Sequence, residues 1–302
     1  MNNKTKISQI LPILLMGSLF VIVDLLAFIV AGPFKTAGAV AFEDPSDPFN
    51  ILYFFLIMIV FTGVMLFIIK FWKKQVIKII YLVAIAILSV YVFYPLFLIF
   101  ISDYQISFFL SIIGAIFLLI ALIKRPEWYV LNTIAIFTSV GVIAMLGISL
   151  CVPITIILLI LMAVYDAIAV YKTKHMIDMA DSFISLRLPV MFVIPKKREY
   201  SLLTETESLK KKLENKGERQ AFFLGVGDVV FPGILAVSAF HTLPAFNLLM
   251  GLSVLAGTLI GFVALMTLVI KGKPQPGLPL LCLGAILGYI MTGFLLFGTI
   301  PL

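Results

Sequence analysis

The sequence predicts an all-α polytopic membrane protein of nine transmembrane helices, with the N-terminus cytoplasmic and the C-terminus extracytoplasmic. Three observations carry this. Of 302 residues, 62% are hydrophobic and 12% charged, which is far too little polar surface to cover a soluble globule. Apolar runs recur at about 20 residues or more, the length a helix needs to cross a hydrocarbon core of about 30 Å; an outer-membrane barrel would show short alternating segments instead. The lysines and arginines gather in alternate connections.

Taken in order, the first span covers about 7–31. Its apolar run is too long for the core of a signal peptide and lacks a small-residue cleavage site before Pro33, so it reads as a retained helix. An outside loop, Gly32 to Asn50, carries Glu43, Asp44 and Asp47 and leads into span two, about 50–70. The basic stretch Lys70 to Lys78 separates it from span three at 77–101, and span four follows at 105–123. Lys124 and Arg125 precede span five at 127–149, and span six runs over 153–171 to Lys172. Residues 172–218 form a long inside loop, partly disordered, with an apolar patch from Leu188 to Ile194 and the charged run Lys210-Lys211-Lys212. Spans seven, eight and nine cover 219–240, 244–270 and 276–301, with Lys271 and Lys273 between the last two. The chain thus divides into 1–171 with six spans, the loop 172–218, and 219–302 with three.

Of 22 Lys and Arg only Lys35 falls on the opposite side, so the N-terminus is inside. The net charge of +7 follows from this topology, and no basic soluble module is present to read a nucleic acid. Cys151 and Cys282 have neither paired nor metal-ligand spacing and read as buried thiols. Trp72 and Trp128, beside inside basic residues, read as interfacial anchors. Asn132 reads as a polar contact between helices.

Three carboxylates fall inside spans: Asp24, Asp166 and Asp228. An aspartate at a helix centre costs roughly 2.5–3.5 kcal/mol on insertion scales, so each needs a reason. Asp166 lies six residues before Lys172 and Asp228 nine after Arg219, which puts them about 9 and 13 Å from the inner boundary at helical rise. They share one level. Asp24 lies on the outer half of its helix and stays outside the site, reading as structural. Two carboxylates held close in low dielectric share one proton. The ionised partner takes a proton from water as it attacks a peptide carbonyl; the protonated partner donates to the carbonyl oxygen and then to the leaving amine. This chemistry needs no metal, cofactor or nucleophilic serine. Gly225-Val226-Gly227-Asp228 sets two glycines at the reacting depth, where they allow close backbone approach.

These residues resemble the presenilin and signal peptide peptidase family of intramembrane aspartyl proteases, in particular its prokaryotic, archaeal-type members. The resemblance rests on Tyr165-Asp166 in span six, Gly225-Val226-Gly227-Asp228 in span seven and Pro276-Gly277-Leu278 at the start of span nine, and covers essentially the whole chain. The family's third motif is Pro-Ala-Leu; glycine replaces the alanine here. The resemblance implies Asp166 and Asp228 as the catalytic pair, Tyr165 supporting the first, Val226 shaping substrate choice, and Pro276, Gly277 and Leu278 packing beside the site. It also implies that Leu188 to Ile194 orders as a strand on an unwound substrate.

The expected substrates are helical transmembrane segments of single-span proteins, or signal-peptide remnants. The expected setting is the lipid bilayer of a prokaryotic plasma membrane, with room for a homo-oligomer and no obligatory partner subunit. A cation channel or carboxylate-coupled transporter would use the same buried aspartates. It would, however, spread polarity along several helices, and here polarity gathers at one inner level. Prepilin peptidases share the Gly-x-Gly-Asp aspartate, but the Tyr-Asp partner and the proline motif fit the presenilin-like family better.

Overall fold

The computed structural model describes residues 3–71, 74–173, 187–196, 200–201, 221–242, 246–269 and 275–301. Trp72, Lys271, Lys273 and most of the 172–218 segment, including Lys210-Lys211-Lys212, lie outside them. Among the described residues there are nine α-helices: α1 (Asn3–Thr36), α2 (Phe49–Phe71), α3 (Lys74–Phe100), α4 (Tyr104–Lys124), α5 (Trp128–Ser149), α6 (Val152–Ile168), α7 (Val226–Thr242), α8 (Asn247–Val269) and α9 (Leu278–Phe297). Seven are long and apolar enough to cross a membrane; the apolar stretches Phe49–Val64 and Val226–His241 are shorter.

Two features depart from the predicted all-α chain. A single π-helical turn, Ala169–Thr173, follows α6. Strand β1 (Met191–Pro195) pairs antiparallel with β2 (Ala221–Gly225), with Val193 opposite Phe223. The expected start of span seven at 219 is therefore corrected: residues 221–225 are strand, and helix begins at Val226. Both segments are short apolar runs that gain a partner for every second backbone group by pairing, and each buries its two faces. Phe192, Ile194 and Leu224 join the main core, while Val193 and Ala221 pack with Leu131 and Ile134 of α5.

Helix α7 is the centre of the bundle, packed by α1, α5, α6, α8 and α9. Val229, Ile234, Leu235, Ala236, Val237 and Ala239 are fully buried, so α7 is enclosed on all sides, as expected of a helix apolar all round. Small residues permit this closeness. A Cβ on Gly147 of α5 would lie 2.6 Å from Val237. Between α8 and α9 the backbones themselves touch: a Cβ on Gly257 would collide with the Gly284 carbonyl, and one on Gly261 with that of Leu280. Outward faces of α2 and α4 carry exposed Leu, Ile and Phe, the pattern of a surface whose solvent is lipid.

Candidate active site

Asp166 occupies the buried stripe of α6. Thr155, Leu158, Leu159, Met162 and Asp166 recur at helical spacing and face inward, with Asp166 only 5% exposed. Leu161, Val164, Tyr165 and Ile168 form the opposite, exposed stripe. Tyr165 is 39% exposed on that outward stripe, so sequence adjacency to Asp166 does not bring it to the inward face.

Asp228 stands in the first turn of α7, immediately after β2. The strand-to-helix switch is made by Val226, whose N–H donates to the Val190 carbonyl at 3.1 Å and so extends the sheet pairing by one step. Gly225 leaves the space that Asp228 uses: a Cβ there would sit 3.2 Å from Asp228 Oδ2, so the Gly225 backbone lies against the Asp228 carboxylate. Gly227 has only ordinary contact with Phe231.

The third participant is the start of α9. The Leu278 N–H donates to Asp166 Oδ2 at 3.1 Å, and the Gly277 N–H is aimed at the same carboxylate. These donors belong to a helix N-terminus, where unpaired N–H groups and the macrodipole favour an anion. Gly277 also touches the other aspartate: a Cβ there would lie 2.8 Å from Asp228 Oδ1. Both carboxylates thus converge on Gly277-Leu278. Pro276 is buried beside them. Tyr171 in the π-helical turn ties this segment to the end of α6 by donating its hydroxyl to Gln275 Oε1 at 2.9 Å.

Three participants were not legible in the sequence. Tyr171 and Gln275 are 104 positions apart and carry no local signal of pairing. Asn132 is no helix-to-helix contact. Its Nδ2 donates to the Val193 carbonyl and its Oδ1 accepts from the Val193 N–H, both at 2.8 Å.

That pairing determines which sheet edge is open. Val193 directs both backbone groups at Asn132, so by antiparallel alternation Val193–Phe223 is a non-hydrogen-bonded pair. Pro195 opposite Ala221, lacking an N–H, fits the same parity. The backbone groups of Ala221, Phe223 and Gly225 therefore point away from β1, and Gly225 lies close to Asp228. Among the described residues no further strand lies there. Of the apolar patch Leu188 to Ile194, residues 191–194 are strand and 188–190 are not; Asn132 occupies the outer edge of β1 at Val193, and the other free edge belongs to β2.

Asp24 stays apart from the pair. It is 1% exposed, its Oδ1 has no hydrogen-bond partner, and it abuts Gly233, five residues beyond Asp228 on α7. Among the described residues no three His, Cys, Asp or Glu side chains gather as a metal site requires.

A family model described as signal-peptide peptidase, presenilin aspartyl protease matches residues 17–299. Two solved structures of a presenilin family intramembrane aspartate protease are similar to this chain. The one in space group C222 is 30% identical with a TM-score of 0.71, covering 94% of this chain and 99% of its own. The one in space group P2 is 31% identical with a TM-score of 0.70, covering 94% and 98%. No curated protein matches.

Proposed function

The chain belongs to the signal-peptide peptidase and presenilin family of aspartyl proteases, and from that premise we propose that Asp166 and Asp228 are its catalytic pair. The protein is an intramembrane aspartic-type endopeptidase, an integral membrane protein acting on transmembrane substrates; a channel or transporter reading is not favoured. The observation that carries the site assignment is the convergence of both carboxylates on Gly277-Leu278.

In this reading the pair shares a proton. Asp166, accepting from the Leu278 N–H, is the carboxylate better stabilised as an anion and serves as base toward water. Asp228 carries the proton, donates it to the scissile carbonyl oxygen and, after water adds, the pair returns a proton to the amine as the C–N bond breaks. Gly277 sets how near the Asp228 carboxyl stands to the α9 backbone, Gly225 leaves it room, and Val226 holds the strand-to-helix switch.

A substrate helix must unwind before its peptide bond is reachable. The open edge of β2 offers Ala221 and Phe223 backbone groups on the side of Asp228, so an extended substrate segment adds as a third strand beside the pair. Backbone pairing of this kind reads little side-chain information, which favours segments that unwind easily over a fixed cleavage motif.

We further assign nine spans, an inside N-terminus from the Lys and Arg distribution, a prokaryotic plasma membrane, single-span or signal-peptide-remnant substrates, and action without an obligatory partner subunit. The deciding experiment uses purified protein in lipid with a single-span reporter, comparing the unsubstituted chain with Asp166→Ala and Asp228→Ala at matched folding. Each substitution is expected to abolish a cut that maps within the span. Cleavage surviving in either variant refutes the pair.

A further inference from the structure

We propose that Asn132 is a positioning residue that sets the register of the β1–β2 sheet against the catalytic pair, and so decides which substrate peptide bond is cut. The proposal rests on the reading above, in which substrate pairs with the open edge of β2.

Among the described residues β1 has a strand partner on one side only. A two-stranded ribbon leaves two edges, and a strand can slip along its partner by two residues while keeping the same faces buried. Here the outer edge of β1 meets α5, a helix, whose own backbone groups are spent internally and offer no ladder. Asn132 replaces that ladder at one point. Its amide carries a donor and an acceptor on one planar group, and they take the carbonyl and the N–H of the same residue, Val193, at 2.8 Å each. This matches the two bonds that one residue of an antiparallel strand exchanges with its opposite. A hydroxyl could not hold both groups at that spacing, and a carboxylate or a lysine would supply only one of the two complements.

The pin is placed where it has leverage. Val193 is 2% exposed, so its backbone groups left without partners would be buried. It stands opposite Phe223, whose backbone groups face the open edge, and Gly225 lies two residues further, against the Asp228 carboxylate. Val193 and Phe223 face each other without exchanging hydrogen bonds, so the Asn132 pin acts on β2 through the flanking pairs Phe192–Leu224 and Ile194–Phe222, and β2 carries that register to Gly225 beside the carboxylate. A second tie, Ser201 Oγ donating to Glu127 Oε1 at 2.7 Å, holds the chain after β1 to the start of the same helix. It touches no strand residue, so it anchors the segment without setting its register.

The test compares Asn132→Ala, Asn132→Asp and Asn132→Gln with the unsubstituted protein in lipid. Two readouts are taken: hydrogen exchange of the 187–196 and 221–225 segments without substrate, and mass-spectrometric mapping of cuts in a single-span reporter. Asn132→Ala is expected to lose protection at Val193 by roughly tenfold or more and to spread the cuts to positions two residues away. Asn132→Asp, keeping the acceptor for the Val193 N–H, is expected to retain part of that protection and most of the original cut. If Asn132→Ala folds poorly, the Asp and Gln variants still carry the comparison. Unchanged Val193 protection overturns the latch. Lost protection with an unchanged cut map overturns the positioning role. Phe223→Pro, which removes an N–H from the open edge, separates the two readings: if it leaves cleavage untouched, the substrate-strand reading itself fails, whatever Asn132 does.

Discussion

The backbone N–H of Leu278 donates to Oδ2 of Asp166 at 3.1 Å, joining two helices 112 residues apart in the chain. A charge-assisted bond at a helix N-terminus has a separable signature in two variants. Asp166→Asn keeps an oxygen acceptor, so Leu278 amide exchange is expected to stay slow while cleavage falls by about a thousandfold or more. Asp166→Ala removes the acceptor as well and is expected to cost a further ~1–3 kcal/mol of stability. Equal amide exchange in both variants argues against the bond.

Gly277 is the second point to probe. A Cβ there would press on Asp228 Oδ1 at 2.8 Å and on Cγ at 3.0 Å. The carboxyl is the free end of a side chain and can swing away, so Gly277→Ala is expected to fold and to lose activity by a few-fold to thirtyfold, about 1–2 kcal/mol of misplacement. Gly277→Val, with branching at Cβ, should be inactive. Full activity in the valine variant contradicts the contact.

The pH profile follows from the pair itself. The base must be ionised, so rate falls as acid protonates both carboxyls; the acid must keep its proton, so rate falls again once both are ionised. A bell-shaped kcat/KM, measured in one lipid composition across pH, is the expected form. A single sigmoid without an alkaline limb means that only one titrating group governs the step.

Helix α9 carries the proline motif, and its approach to α8 is backbone on backbone at Gly257 and Gly284. Gly257→Val is expected to force the helices apart and destabilise the protein by roughly 1–3 kcal/mol or more. Thermal unfolding in detergent reads the loss, and cleavage should fall with it because the Leu278 donor moves with α9. An unchanged Tm shows the seam to be looser than the contact implies.

Asp24 gives the contrasting case. Its Oδ1 is buried without a partner, and replacing an unsatisfied polar group by an apolar one of similar shape is neutral or stabilising. Asp24→Leu is therefore expected to leave Tm unchanged or higher and cleavage within about threefold of the unsubstituted chain. Loss of cleavage in a well-folded Asp24→Leu protein gives this acid a role in the reaction.

Much of the protein was legible because the bilayer is a severe filter. It forces long apolar helices, keeps Lys and Arg to helix ends and loops and makes every buried carboxylate conspicuous. Asp166 and Asp228 were therefore singled out by cost, and Pro276, Gly277 and Leu278 by the resemblance of their motif; the depth reckoned for Asp228 assumed helix over residues 221–225, which are strand. Strand β2 was read as helix because its apolar run, Ala221 to Gly225, is too short for periodicity to separate the two states.

By itself the sequence determined the helical membrane class and the cost that makes the intramembrane aspartates conspicuous, since length, hydropathy and charge act locally along the chain. Only the tertiary structure decided that Leu278 bonds Asp166, that Gly277 touches Asp228, that Tyr165 faces outward and that Asn132 closes one edge of the sheet. Each of these depends on the rotation of one helix about its axis against another, and that rotation is set by packing of small residues and by single hydrogen bonds between distant segments, which leave no periodic trace in the chain.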